Sequence, residues 1–196
     1  MSSEPERFEL RSIAPQPWKN GAGLTREIAV GPKRAGAGDF DWRISFAEVE
    51  RDAPFSAFPG VNRCIVLLHG AGMRLRSDGG ALDHRLDQAL VPFHFSGDTT
   101  LSATLIDGPS SDFNVMTRRV AWAVEVTLHC SAFEPASADV TLLLCHEGEW
   151  LVTSAAAETL LPMQALLWRG PLARLSVSPQ HDGTLLLVRL CHDRSS

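Results

Sequence analysis

Apolar and polar residues alternate along most of this chain, in short runs broken by Gly, Pro, Asp and Ser, and the three- to four-residue spacing of an amphipathic helix is scarce. The alternation predicts twelve strands. In the first half they are Leu24 to Val30, Phe40 to Val49, Cys64 to His69, Met73 to Arg76, Ala89 to Phe95 and Thr100 to Ile106. In the second half they are Trp122 to His129, Val140 to Cys145, Trp150 to Thr153, Ala165 to Trp168, Leu172 to Val177 and Thr184 to Leu190. Only the stretch after Asp52 and the alanine run Ser154 to Glu158 suggest a helical turn, and neither extends into an amphipathic helix.

The halves share one punctuation scheme. Val66-Leu67-Leu68-His69-Gly70, then Gln88-Ala89-Leu90, then Leu101 to Ile106 and an Asp107-Gly108 turn are answered in the same order. The answering segments are Leu143-Leu144-Cys145-His146-Glu147-Gly148, Gln164-Ala165-Leu166, Leu172 to Val177 and Asp182-Gly183. His69 to His146 is an offset of 77 residues and Gln88 to Gln164 one of 76, which points to duplication of one β unit. Such a unit is laid out like a jelly roll of the cupin type. The expected fold is all-β with very little helix: two cupin-like barrels in one chain, a bicupin. The N-terminal barrel, carrying the candidate pocket, is expected over 1–120, with first strands that can swap into the other barrel, and the C-terminal barrel over 121–196.

At 196 residues the chain can bury a core without covalent staples. Its composition, 44% hydrophobic and 21% charged with a formal charge of -5, is globular and argues against a generic nucleic-acid-binding face. Cys64, Cys130, Cys145 and Cys191 are widely spaced, and the opening MSSEPERFEL has no apolar signal core, so a cytoplasmic protein with reduced thiols is expected. No stretch is long and apolar enough to predict a membrane-spanning helix.

Metal-binding cupin barrels use a clustered H-x-H with a following glutamate. The seven histidines, His69, His84, His94, His129, His146, His181 and His192, form no such cluster, so no metal or cofactor is expected. Nucleophile-elbow and phosphate-loop motifs are absent, and Gly21-Ala22-Gly23 lacks the flanking strand and helix of a dinucleotide fingerprint. The polar residues within strand-like runs carry more information. Alternation groups Thr25 with Glu27, Asp41 with Arg43 and Ser45, and Asp112 with Asn114, Met116 and Arg118. Arg43, Arg63 and one of Arg118 or Arg119 can form a site for a small carboxylate, since a guanidinium binds that group bidentately, with Asn20, Thr25 and Ser45 adding neutral hydrogen bonds. The same residues also fit a solvated outer face, or internal salt bridges with Glu27, Asp41 and Asp112.

The runs PWKNGAGLTREIAVGP (17–32), DWRIS (41–45), PFSAFPGVNR (54–63), FSGD (95–98) and DGPSSDFNVMTRR (107–119) resemble the HutD/Ves family. The resemblance covers about residues 15 to 120 in order. Ala22, Ala53 and Asn62 depart from residues common in that family, and Ala22 in place of a glycine limits access to positive φ in its turn. The resemblance implies a bicupin without the usual metal cluster and an association with bacterial histidine utilisation. There the family is thought to limit pathway induction by binding an intermediate such as N-formylglutamate or urocanate, and Ves is linked to cold and stress response. On that basis Lys19, Arg43, Arg63 and Arg118 are expected to contact a small anionic metabolite and Asn20, Thr25, Ser45 and Asn114 to orient it. Trp18, Phe58, Phe95 and Met116 would form the walls, with Glu27 also in the site. The alternative is a cupin-like isomerase, hydrolase or deformylase with Glu27 as general base. A homodimer and a regulatory protein partner stay open; nucleic acid and membrane partners are not expected.

Overall fold

The computed structural model describes residues 4–33 and 40–193; residues 1–3 and 194–196, the outer limits of the two expected barrels, lie outside the described residues, as do 34–39. Strand β1 (Glu6–Glu9) and a 3-10 turn (Leu10–Ser12) come first. Then follow β2 (Gln16–Pro17), β3 (Gly23–Lys33), β4 (Phe40–Val49), β5 (Ala53–Phe55), β6 (Val61–His69) and β7 (Met73–Ser77). Next are β8 (Asp83–Leu86), β9 (Phe93–Ser96), β10 (Leu101–Leu105), β11 (Ser110–Arg118), β12 (Trp122–His129) and β13 (Val140–Glu147). The chain ends with β14 (Trp150–Thr153), β15 (Ala157–Leu160), β16 (Gln164–Arg169), β17 (Ser176–Pro179) and β18 (Thr184–His192). Among the described residues no helix is long and apolar enough to cross a membrane.

The strands divide into two units, Ala14–Trp122 and a second made of Ala123 onward together with the residues up to Ile13. The first unit begins at Ala14 because β1 pairs antiparallel with β16, Glu6 opposite Leu167, and Arg169 and Glu6 close the edge with an ion pair of 2.7 Å. In the first unit a six-stranded sheet (β2-β3-β4-β11-β6-β9) packs on a four-stranded one (β5-β10-β7-β8) through Ile65, Leu67, Met73, Leu75, Leu101 and Phe55. The second has a five-stranded sheet (β1-β16-β13-β18-β12) and a three-stranded one (β15-β14-β17), with a core that includes Leu143, Trp150, Trp168, Leu185 and Leu187. The helical hints do not survive. The stretch after Asp52 is β5, and Ser154 to Glu158 is a turn leading into β15.

The strand order repeats between units, β9-β6-β11 matching β16-β13-β18 and β8-β7-β10 matching β15-β14-β17. Backbone bonds set the correspondence: the Leu67 carbonyl accepts from the Leu90 amide as the Cys145 carbonyl accepts from Met163, both donors at positive φ. A β-bulge follows in each unit, between Ser111 and Asp112 and between Cys145 and Glu147. His69 therefore corresponds to Glu147 and not to His146, and Gln88 sits in a turn before β9 whereas Gln164 opens β16. The register also pairs Asp112 with Leu67 and Asn114 with Ile65, as Leu185 pairs with Cys145 and Leu187 with Leu143. One topology thus carries Asp112 and Asn114 in the first unit and leucines at both positions in the second.

Candidate functional site

The polar residues grouped by alternation meet inside the first unit. Across the six-stranded sheet Glu27, Ser45 and Asn114 form one cross-strand row and Arg43, Met116, Arg63 and Phe95 the next. Ser45, Asn114, Arg43, Met116 and Arg63 of these rows lie along a cavity of about 460 Å³, within the range of small-molecule sites. Lys19, Asn20, Thr25, Arg43, Ser45, Phe58, Arg63, Asn114 and Met116 line it, together with Trp18 and Asp112. The solvated-face alternative fails for Asp41 and Ser45, which are 8% and 3% exposed. An internal ion pair does form between Arg43 and Glu27, where Arg43 Nε donates to Glu27 Oε2 at 3.0 Å.

Three expected residues stand outside the lining. Glu27 reaches the site through Arg43, and a bulge after it turns the strand so that Ala29, not Ile28, faces Ile44. Phe95 lies behind Arg63, its ring 4.9 Å from the guanidinium carbon. Arg118 lies beyond Met116 at the end of β11, where its Nη2 donates to the Phe40 carbonyl at 3.2 Å.

The floor is built by Arg63, Asp112 and Asn114. Arg63 is 6% exposed and its guanidinium packs against Phe55, Phe58 and Phe95 at 5.4, 5.5 and 4.9 Å. Cation–π attraction offsets part of the cost of burying the charge. Burial lowers the Arg63 pKa to about 10, Asp112 pulls it up and Arg43 pushes it further down, so it is a cation at neutral pH. Its Nη1 donates to the Ser56 carbonyl at 3.4 Å, and its Nε has no hydrogen-bond partner among the described residues. Asp112 is 1% exposed; Oδ1 accepts from the Asn114 amide and Oδ2 has no partner among the described residues. Burial pushes the Asp112 carboxyl up to about 7 against the opposing pulls of Asn114 and Arg63.

The mouth is shaped by the turn after β2. Gly21 (φ +65°) closes it, Asn20 Oδ1 accepts from the Ala22 amide at 3.0 Å, and Arg51 Nη2 donates to the Gly21 carbonyl at 2.7 Å. Ala22 is buried with φ outside the positive range, so the alanine costs the turn nothing; Gly21 alone takes that conformation there. Asn20 thus spends its carbonyl oxygen on the turn. Trp18 Nε1 donates to Thr25 Oγ1 at 2.8 Å, and its ring meets Phe55 edge-on at 5.8 Å. The sequence reading missed Gln16, Pro17, Ala47, Pro54, Phe55 and Ser56. Phe55 carried a usable signal, since it belongs to the PFSAFPGVNR run that ends in Arg63.

Among the described residues no group of three or more His, Cys, Asp or Glu side chains converges. Among the described residues Asp112 is the one acidic side chain of the lining and stands beside a guanidinium, so these residues do not fit the metal of other cupins.

The HutD family model matches residues 11–187. The chain belongs to the HutD family. It is similar to Protein Ves of Citrobacter koseri, 37% identical over 146 residues, 74% of each chain. It is also similar to the structure of HutD from Pseudomonas fluorescens SBW25 in a formate condition, 30% identical with a TM-score of 0.83, covering 96% of this chain and 99% of that one. A cupin 2 conserved barrel domain protein from Leptotrichia buccalis shares the fold at 8% identity and a TM-score of 0.61, over 97% of this chain and 98% of its own. This member of the HutD family is thus a nearly all-β protein of the cupin fold.

Proposed function

We propose that this HutD-family chain is a cytoplasmic, metal-independent binding protein for a small carboxylate metabolite such as N-formylglutamate or urocanate, whose occupancy limits induction of histidine catabolism. One observation carries the binding half: Arg63, a lining residue of the cavity, is a buried guanidinium clamped by three phenylalanines whose Nε–H, itself buried, has no partner among the described residues. A buried donor without a partner costs about 1–3 kcal/mol, and an anion in the cavity recovers it through a charge-assisted bond. Arg43 with Glu27, and Lys19 at the mouth, offer polar contacts to the other end of such a ligand. The tie to histidine catabolism comes from the HutD family.

A thermal-shift series with formate, N-formylglutamate, urocanate, histidine and glutamate tests this. A ligand at a hundred times its dissociation constant stabilises by about 2.7 kcal/mol, so a selective rise in melting temperature with one pathway acid is expected. No shift with any of them overturns the proposal. Consumption of the ligand during the assay replaces it with the enzyme alternative.

A further inference from the structure

Asp112 is the feature that anion binding leaves unexplained. A carboxylate on the floor of an anion site repels its ligand, yet this one is completely buried, and no hydrogen bond or ion pair among the described residues joins it to Arg63. Its two oxygens are used unequally. Oδ1 takes the Asn114 amide, while Oδ2 and Arg63 Nε, buried atoms of two residues that line the cavity, have no partner among the described residues. The fold does not require a polar group here, because the same strand positions in the second unit hold Leu185 and Leu187 inside an apolar core.

We propose that Asp112 meets the ligand as a neutral acid, its Oδ2 hydroxyl donating to one anionic oxygen while Arg63 Nε–H donates to the other, so that the site takes up a carboxylate together with one proton. This rests on the carboxylate-binding proposal above. Neutral Asp112 turns a repulsive acceptor into a second donor, and both orphaned atoms of the floor then act on one group. The charged group acting on Asp112 is Arg63 from β6; the cavity lining adds Arg43 from β4, paired with Glu27 from β3, and Lys19 from the turn after β2. β5 adds Pro54 and Phe55, neither of which titrates, and among the described residues no histidine lines the cavity. The raised carboxyl pKa of about 7 agrees with the geometry.

The test is calorimetric titration with formate, N-formylglutamate and urocanate at pH 6, 7 and 8, in buffers of different ionisation enthalpy, on the wild type and Asp112→Asn. For a site that must hold its proton, affinity falls about tenfold from pH 6 to pH 8, with close to one proton taken up per ligand at pH 8 and little at pH 6. Asparagine keeps a donor and cannot ionise, so the variant is expected to bind within a few-fold of the wild type at pH 6 and with no pH dependence. Wild-type affinity that stays level with pH, without proton uptake, overturns the inference and leaves carboxylate binding standing. Loss of binding in folded Asp112→Asn also overturns it, by making Asp112 an acceptor for a ligand N–H. If none of the three acids binds the wild type at any pH, the carboxylate proposal fails and this inference fails with it.

Discussion

Replacing Asp112 with asparagine should relieve a pH-dependent destabilisation of the fold that exists without any ligand. The side chain is completely buried, and burial moves its carboxyl from the ordinary 3.8 to about 7. The folded state therefore holds its proton about a thousandfold more tightly than the unfolded chain does, which is about 4 kcal/mol. The sign follows from linkage: below the unfolded value both states are protonated and the penalty vanishes. As pH rises from about 4 to about 7 the unfolded state ionises freely while the folded state does not, and stability is lost until the buried group ionises too. Asparagine keeps the size and the acceptor for the Asn114 amide and removes the titration. In urea unfolding followed at matched pH, the stability of the wild type is expected to fall by about 3–4 kcal/mol relative to Asp112→Asn between pH 4 and pH 8, other groups cancelling in the difference. A difference between the two proteins that stays within about 1 kcal/mol across that range would refute the assignment of a strained, buried acid.

Two further outcomes follow from the same geometry. Arg43→Ala removes a partly exposed ion pair with Glu27, of a kind that contributes about 0–1 kcal/mol, so the protein should stay folded by circular dichroism while carboxylate affinity, read by titration, drops at least about tenfold. Trp168→Ala empties a fully buried position of the second unit and should cost about 3–5 kcal/mol in urea unfolding, while carboxylate affinity measured on the folded protein stays unchanged, because the cavity is built by residues of the first unit.

Much of this was legible in the sequence because side-chain direction in a strand has period two. Parity alone placed Asp112, Asn114 and Met116 together and set Arg43 beside Ser45, and pairing of β4, β11 and β6 joined the two groups. Parity gives direction but not depth, and Arg118 shares the parity of Met116 yet lies past the end of the cavity. Bulges defeat it as well. The extra residue is Leu68 in one half and His146 in the other, so matching histidine to histidine set the halves off by one position and paired an exposed His69 with a buried histidine. Phe55 escaped because three residues of β5 are too few to show alternation. The raised pKa of Asp112 was beyond reach, since it depends on burial, on Asn114 and on Arg63 at once.

The most direct measurement is a calorimetric titration of N-formylglutamate, formate and urocanate into the wild type and Arg63→Met, a replacement that keeps apolar bulk among Phe55, Phe58 and Phe95 and removes the charge. The wild type should bind one of these acids saturably at one per chain. The methionine variant, folded by circular dichroism, should bind it about 10- to 100-fold more weakly, the equivalent of one charged hydrogen bond. Equal affinity in the two folded proteins would contradict a carboxylate site on Arg63.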